Sequence, residues 1–157
     1  DIITGGSGAD IITGGDSADV LSGGDDNDSI DGGNGDDTLT GGAGNDTFIV
    51  NAGSDEISDL SGNDVIQVGA SGTLVANGIS SFTATASSSN AGTTKLTAAA
   101  GNGTINMTDS ASGDYIITGG SGTDNLTGGS GDDTFIFKIS GVGNCDVVDG
   151  KGGTNTL

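Results

Sequence analysis

Aspartate recurs at residues 1, 10, 19, 28, 37, 46, 55 and 64, every ninth position without a gap. A large apolar residue follows two positions later each time, at Ile3, Ile12, Leu21, Ile30, Leu39, Phe48, Ile57 and Ile66. Of the 22 acidic residues Glu56 is the only Glu, and they stand against three Lys and no Arg or His, for a net charge of −19. Carboxylates in such number and spacing suit one kind of chemistry, the binding of hard cations through oxygen. Catalysis has little to work with, because no nucleophile and base pair can be assembled without His.

Other chemistries fall away on the same residues. Asp36 and Asp37 stand side by side and superficially suggest a pair of glycosidase carboxylates. A repeated, solvent-facing ladder supplies no apolar pocket to raise one pKa above the other. No Lys-Ser/Thr follows a GxxxxG run, so the glycines do not form a phosphate loop. Cys145 is the only Cys, which excludes an internal disulfide and, with no His, a zinc site. The charge opposes nucleic acid and anionic membrane surfaces as partners. No apolar run reaches the roughly 18 residues of a membrane span.

The elements that position the aspartates are internal repeats. From Gly5 the chain reads GGSGADIIT, GGDSADVLS, GGDDNDSID, GGNGDDTLT and GGAGNDTFI, and VNAGSDEIS and DLSGNDVIQ carry the phase to Gln67 without the paired glycines. A second block holds GGSGTDNLT and GGSGDDTFI, preceded by SASGDYIIT, in which Tyr115 takes the aspartate position. Four extra residues shift the phase before Asp146 and Val148, and Asn155 replaces Asp in the last repeat. Starting at Asp and within a repeat, the chain reads as a window on a longer array. Between Val68 and Ser110 the composition changes to Ser, Thr, Ala, Gly and Asn. Alternating stretches at Ser81–Thr85, Thr94–Thr97 and Thr104–Met107 favour strands there.

Nine residues hold a tight turn of about six and a strand of about three, whose middle side chain points inward. Two repeats then make one coil of 18 residues, with repeats i and i+2 one above the other. Ile3, Leu21, Leu39 and Ile57 stack in one sheet and Ile12, Ile30, Phe48 and Ile66 in the other, and these two columns form the core. The same stacking aligns Asp10, Asp28, Asp46 and Asp64 along one edge and Asp1, Asp19, Asp37 and Asp55 along the other. Unit charges about 5 Å apart repel by roughly 3 kcal/mol at an effective dielectric of 20. A divalent ion between coils reverses the sign of that interaction. Oxygen-only ligation by carboxylates and glycine carbonyls in a flexible cage selects calcium over transition metals and over magnesium. Without it, low hydrophobicity and high charge read as disorder.

The motif G-G-x-G-x-D-x-U-x resembles the hemolysin-type calcium-binding nonapeptide, the RTX repeat of bacterial proteins exported by type I secretion, over about two thirds of the chain. The resemblance implies a right-handed parallel β-roll, here an all-β fold in two blocks (1–67 and 111–157) joined by a Ser/Thr/Ala-rich β segment (68–110). It implies calcium between successive coils, held by the sixth-position Asp and turn carbonyls. Carried onto this chain, the ligands are Asp10, Asp19, Asp28, Asp37, Asp46, Asp124 and Asp133, with Asp1, Asp55, Asp64 and Asp146 in the same phase. The glycines are Gly6, Gly8, Gly15, Gly24, Gly33, Gly35, Gly42, Gly44, Gly120, Gly122, Gly129 and Gly131. Ser17 and Asp26 depart from the fourth-position Gly, and Tyr115 and Asn155 weaken or remove their sites. Asp16, Asp25, Asp31, Asp36, Asp114 and Asp132 lie outside the sixth position and read as solvated turn carboxylates.

These residues make the chain a non-enzymatic, calcium-binding structural module, binding about seven calcium ions. It is expected outside the cell or on a bacterial surface, unfolded in the cytosol and folded in extracellular calcium. The composition is closest to surface-layer proteins and large adhesins, in which self-assembly or neighbouring domains are the partners. The alternatives are the C-terminal secretion and folding module of an exoenzyme, such as a protease, lipase or alginate epimerase, and a disordered calcium-buffering tail.

Overall fold

A computed structural model describes residues 1–137 and 146–157. Cys145 and the four-residue phase shift lie outside them. The described chain has no helix and fifteen strands, all paired in parallel. In chain order they are β1 (Ile2–Ser7), β2 (Ile11–Asp16), β3 (Val20–Asp25), β4 (Ser29–Asn34), β5 (Thr38–Ala43), β6 (Thr47–Ile57), β7 (Val65–Ile79), β8 (Ser81–Thr83), β9 (Ser89–Asn90), β10 (Thr93–Ala98), β11 (Thr104–Asn106), β12 (Tyr115–Thr118), β13 (Asn125–Thr127), β14 (Thr134–Ile136) and β15 (Val147–Asp149). This is a parallel β-roll of about eight coils.

The nine-residue phase sets the register. β1 lies on β3 and β3 on β5, with Ile3 over Leu21 and Leu21 over Leu39. β2 lies on β4 and β4 on β6, with Ile12 over Ile30 and Ile30 over Phe48. Every apolar residue of these columns from Ile12 onward is buried, because the period-two alternation of a strand turns it inward. β6 and β7 are long enough to run from one face of the coil to the other, joining both faces into one sheet.

The strands themselves are longer than the sequence indicates. Each of the first five covers positions seven to nine of one repeat and one to three of the next, so pairing runs through the second-position glycines, Gly6 with Gly24 and Gly24 with Gly42. The turn is thereby cut to three residues. Its first residue has positive φ at Gly8, Gly35 and Gly44, and also at Ser17 (81°) and Asp26 (74°). A side chain in that region costs about 1 kcal/mol or more, less for Asp than for a β-branched residue. Asp26→Gly is therefore expected to stabilise the calcium-loaded roll by about 1 kcal/mol, less the entropy glycine adds to the unfolded chain. A thermal scan in calcium checks it; a lower midpoint than wild type contradicts the strain.

The 68–110 segment continues the roll. The first column passes from Ile57 through Ala76 and Leu96 to Ile117 and Phe135. A third ladder starts at the Gly62–Phe82 bridge and runs through Ile105 and Leu126 to Val148. Coils lengthen to make room for it, from 18 residues between Leu21 and Leu39 to 23 between Phe82 and Ile105. The strands expected at Ser81, Thr94 and Thr104 are β8, β10 and β11. The core accordingly extends beyond the two columns read from the sequence, to Leu74, Ile79, Phe82, Leu96, Ile105, Met107 and Tyr115.

Candidate metal centre

Each coil presents its sixth-position Asp at the junction of turn and strand, where the main chain of the coil below offers one free N–H. The Asp10 N–H donates to Asp28 Oδ1 at 2.8 Å, and the Asp28 N–H donates to Asp46 Oδ1 at 2.9 Å. On the other edge the Asp19 N–H donates to Asp37 Oδ1 at 2.8 Å, and that of Asp37 to Asp55 Oδ1 at 3.1 Å. Asp46 N–H reaches Asp64 Oδ1 at 2.9 Å, and Asp124 N–H reaches Asp146 Oδ1 at 2.9 Å. Gly103 N–H and Tyr115 N–H play the same part for Asp124 and Asp133. Asp1, at the first coil, is exposed, and its main-chain nitrogen meets Asp19 Oδ1.

This bond turns the carboxylates inward, which corrects the solvent-facing ladder expected from the sequence. Asp19, Asp28, Asp37, Asp46, Asp55, Asp64, Asp124 and Asp133 are all buried. One oxygen of each is satisfied. The other, Oδ2, is buried without any hydrogen-bond partner at Asp10, Asp19, Asp28, Asp37, Asp55 and Asp124. A buried carboxylate oxygen without a partner is costly, and a series of them in register calls for a partner that protein groups do not provide.

The surroundings of Oδ2 define what that partner is. A Cβ on Gly14 would stand 2.5 Å from Asp19 Oδ2 and 2.6 Å from the Gly32 carbonyl oxygen, so only glycine leaves this space open. Gly5 and Gly23 open the same space between Asp10 Oδ2 and the Gly23 carbonyl, and between Asp28 Oδ2 and the Gly41 carbonyl. Successive rungs converge there: the face of Gly32 meets both Asp37 and Asp55, and that of Gly119 both Asp124 and Asp146. Among the described residues no three of His, Cys, Asp and Glu gather at one point, so a cation needs main-chain carbonyls beside the carboxylates. Anionic and carbonyl oxygens alone, in a flexible cage, are the donor set of calcium. The residues present fit that ion.

The model of the RTX calcium-binding nonapeptide repeat, in four copies, matches residues 1–30, 13–48, 22–57, 49–71 and 112–136, together more than half of the chain. The chain belongs to this RTX repeat family. Neither a curated protein nor a solved structure matches it. The RTX roll is a structural calcium-binding fold, and its family is typical of secreted bacterial proteins. Among the described residues no helix is long and apolar enough to cross a membrane.

First-position carbonyls, those of Gly23, Gly32 and Gly41, border the same space as the carboxylates. The second-position Gly6, Gly15, Gly24, Gly33 and Gly42 are held by positive φ, and a Cβ on Gly42 would strike the Gly24 carbonyl one coil below. Gly122 in the second block also has positive φ, while Gly120, Gly129 and Gly131 pack closely on the preceding coil. Asp64 and Asp133 have both oxygens satisfied, Oδ2 accepting from Ser61 N–H and Gly129 N–H at 2.9 Å. Tyr115 turns into the core, where its hydroxyl meets Ser110 Oγ at 2.5 Å and the Ser112 carbonyl at 3.0 Å.

A second ladder, at the fifth position, was missed in the sequence. Asn27 Oδ1 accepts from Asn45 N–H and Asp36 Oδ1 from Ser54 N–H; Asp114 and Asp132 do the same for Asp132 N–H and Thr154 N–H. These side chains reach the next coil forward while the sixth-position carboxylates reach back. The recurring Asn and Asp one residue before the ligand was the available signal.

Burial pushes the Asp55 and Asp64 carboxyls up to about 6, against the main-chain N–H groups of Asp37 and Asp46 that hold them down. Burial also raises Asp46 and Asp133. A carboxyl whose folded pKa exceeds its unfolded one binds more protons folded, so ionisation opposes folding. In calcium-free buffer the contribution of these carboxyls to stability is therefore expected to be complete below about pH 4 and to be lost as the pH rises through 6. Circular dichroism without calcium from pH 4 to 7.5 checks the sign; β-structure that grows with pH contradicts it.

Proposed function

We propose that the chain is a calcium-dependent structural module of a secreted or cell-surface bacterial protein, of the surface-layer or adhesin type, folding on extracellular calcium after type I secretion. The observation that carries it is the set of six buried Oδ2 atoms without partners, in register along both edges of the roll. At sub-micromolar calcium the ladder repulsion keeps the chain open for export, and at millimolar calcium the coils close. The Ser/Thr/Ala-rich 68–110 segment and the scarcity of Lys favour the surface-layer or adhesin type. On this reading 1–67 and 111–157 are the calcium-loaded blocks and 68–110 is a metal-free spacer.

The proposed ligands are the sixth-position aspartates with first-position carbonyls. One ion for each stacked pair of sixth-position aspartates, six pairs between Asp1 and Asp64 and the Asp124–Asp146 pair, makes about seven ions. Seven divalent ions reduce the net charge from −19 to about −5, ordinary for a soluble domain. Native mass spectrometry of the 157-residue chain in millimolar calcium should count them. Fewer than three bound ions would contradict the assignment.

A further inference from the structure

We propose that Asn155 stands in for a calcium ion with its own side-chain amide, so that the rung it forms with Asp133 closes without metal. The inference rests on the reading that the other rungs bind calcium. Asn155 Oδ1 accepts the Asp133 N–H at 2.8 Å, the bond that each sixth-position Asp makes to the coil below. Its second terminal atom therefore lies where the partnerless Asp Oδ2 lies in the other repeats, against the face of the first-position glycine, here Gly150. That atom is an amide nitrogen. Nδ2 donates to the Gly150 carbonyl at 2.9 Å and to the Gly152 carbonyl at 2.8 Å.

The two atoms occupy corresponding places and their chemistry is opposite. A carboxylate oxygen facing main-chain carbonyls sets negative partial charges against each other, and a cation between them is what makes the arrangement favourable. An amide group supplies one hydrogen to the corresponding first-position carbonyl, that of Gly150, and one to that of Gly152, and carries no charge to be balanced. The Asp133–Asn155 rung also holds one carboxylate where the Asp28–Asp46 rung holds two. On its other side Asp133 Oδ2 accepts from Gly129 N–H at 2.9 Å, so neither residue leaves a partnerless oxygen in the rung. Asp124, one repeat earlier, does leave one. At this rung one atom, nitrogen for oxygen, takes the place of calcium.

Asn155→Asp in the 157-residue chain tests this. The variant is expected to bind one calcium ion more than wild type by native mass spectrometry. The calcium concentration that half-protects the Asp133 amide from hydrogen exchange should rise by roughly tenfold, the equivalent of one to two net hydrogen bonds. Asp28→Asn and Asp28→Ala give the converse measurement: both should bind fewer ions than wild type, but the Asn variant should regain β-structure at the lower calcium concentration. An Asn155→Asp chain with unchanged ion count and exchange, or an Asp28→Asn chain no better than Asp28→Ala, overturns the inference alone. A wild-type chain that binds no calcium overturns the proposed function, and this inference with it.

Discussion

In calcium-free buffer at pH 7.5 the chain is expected to lose its β-sheet circular dichroism, and to regain it cooperatively as calcium rises through about 10⁻⁴ to 10⁻³ M, the range of extracellular modules. Closing the coils brings carboxylates into stacked, buried rows, and six of their oxygens find no partner among the described residues. The apolar core that would have to outweigh this is a set of thin columns; beyond Phe48, Phe82, Phe135 and Tyr115 no aromatic side chain is fully buried. Net charge of −19 on 157 residues adds repulsion throughout. Each coil rests only on its neighbours, so a coil that cannot close withdraws the template for the next, which makes the transition cooperative. Magnesium at the same concentration should not replace calcium, because it holds its water and demands an octahedron. A β-rich spectrum indifferent to a calcium chelator would sink this mechanism.

Much of the architecture is written in the phase of nine. The residue two positions after each Asp had to point inward, and the registers of Leu21 over Ile3 and Phe48 over Ile30 follow from counting alone. The same counting aligned the two aspartate edges, since repeats i and i+2 share a face. The 68–110 segment was legible only as strands. Its coils run to 23 residues and add a third ladder, and an irregular spacing leaves no periodic signal from which to count.

At the site, what escaped sequence reading was direction. Periodicity places a residue on an edge but does not say whether its side chain faces solvent or folds over the strand below. That choice is made by a main-chain N–H one coil away, which draws Oδ1 inward and buries the carboxylate with it. The two members of the glycine pair also differ in a way that spacing does not show. The first faces Oδ2 and a first-position carbonyl of the next coil, as Gly14 does Asp19 and Gly32, while a Cβ on a second-position glycine such as Gly42 would strike the coil below.

Asp28→Ala should cost two calcium ions, whereas Asp36→Ala should cost none. Asp28 stands mid-ladder: its Oδ1 accepts from Asp10 N–H below, its own N–H donates to Asp46 Oδ1 above, and its Oδ2 lies partnerless beside Gly23. Removing the carboxylate takes a ligand from the rungs on both sides and strands the Asp10 N–H, whose loss of a partner costs about 1–3 kcal/mol before any calcium is counted. Because neighbouring coils template one another, the calcium transition of the first block should also become less steep. Asp36 is exposed and one residue out of phase; its Oδ1 accepts a single bond from Ser54 N–H at 2.9 Å, worth about 1 kcal/mol. Its replacement should lower the thermal midpoint slightly and leave the stoichiometry alone. Calorimetric titration of the two variants separates the cases, since equal losses of bound calcium would mean that the nine-residue phase does not place the ligands.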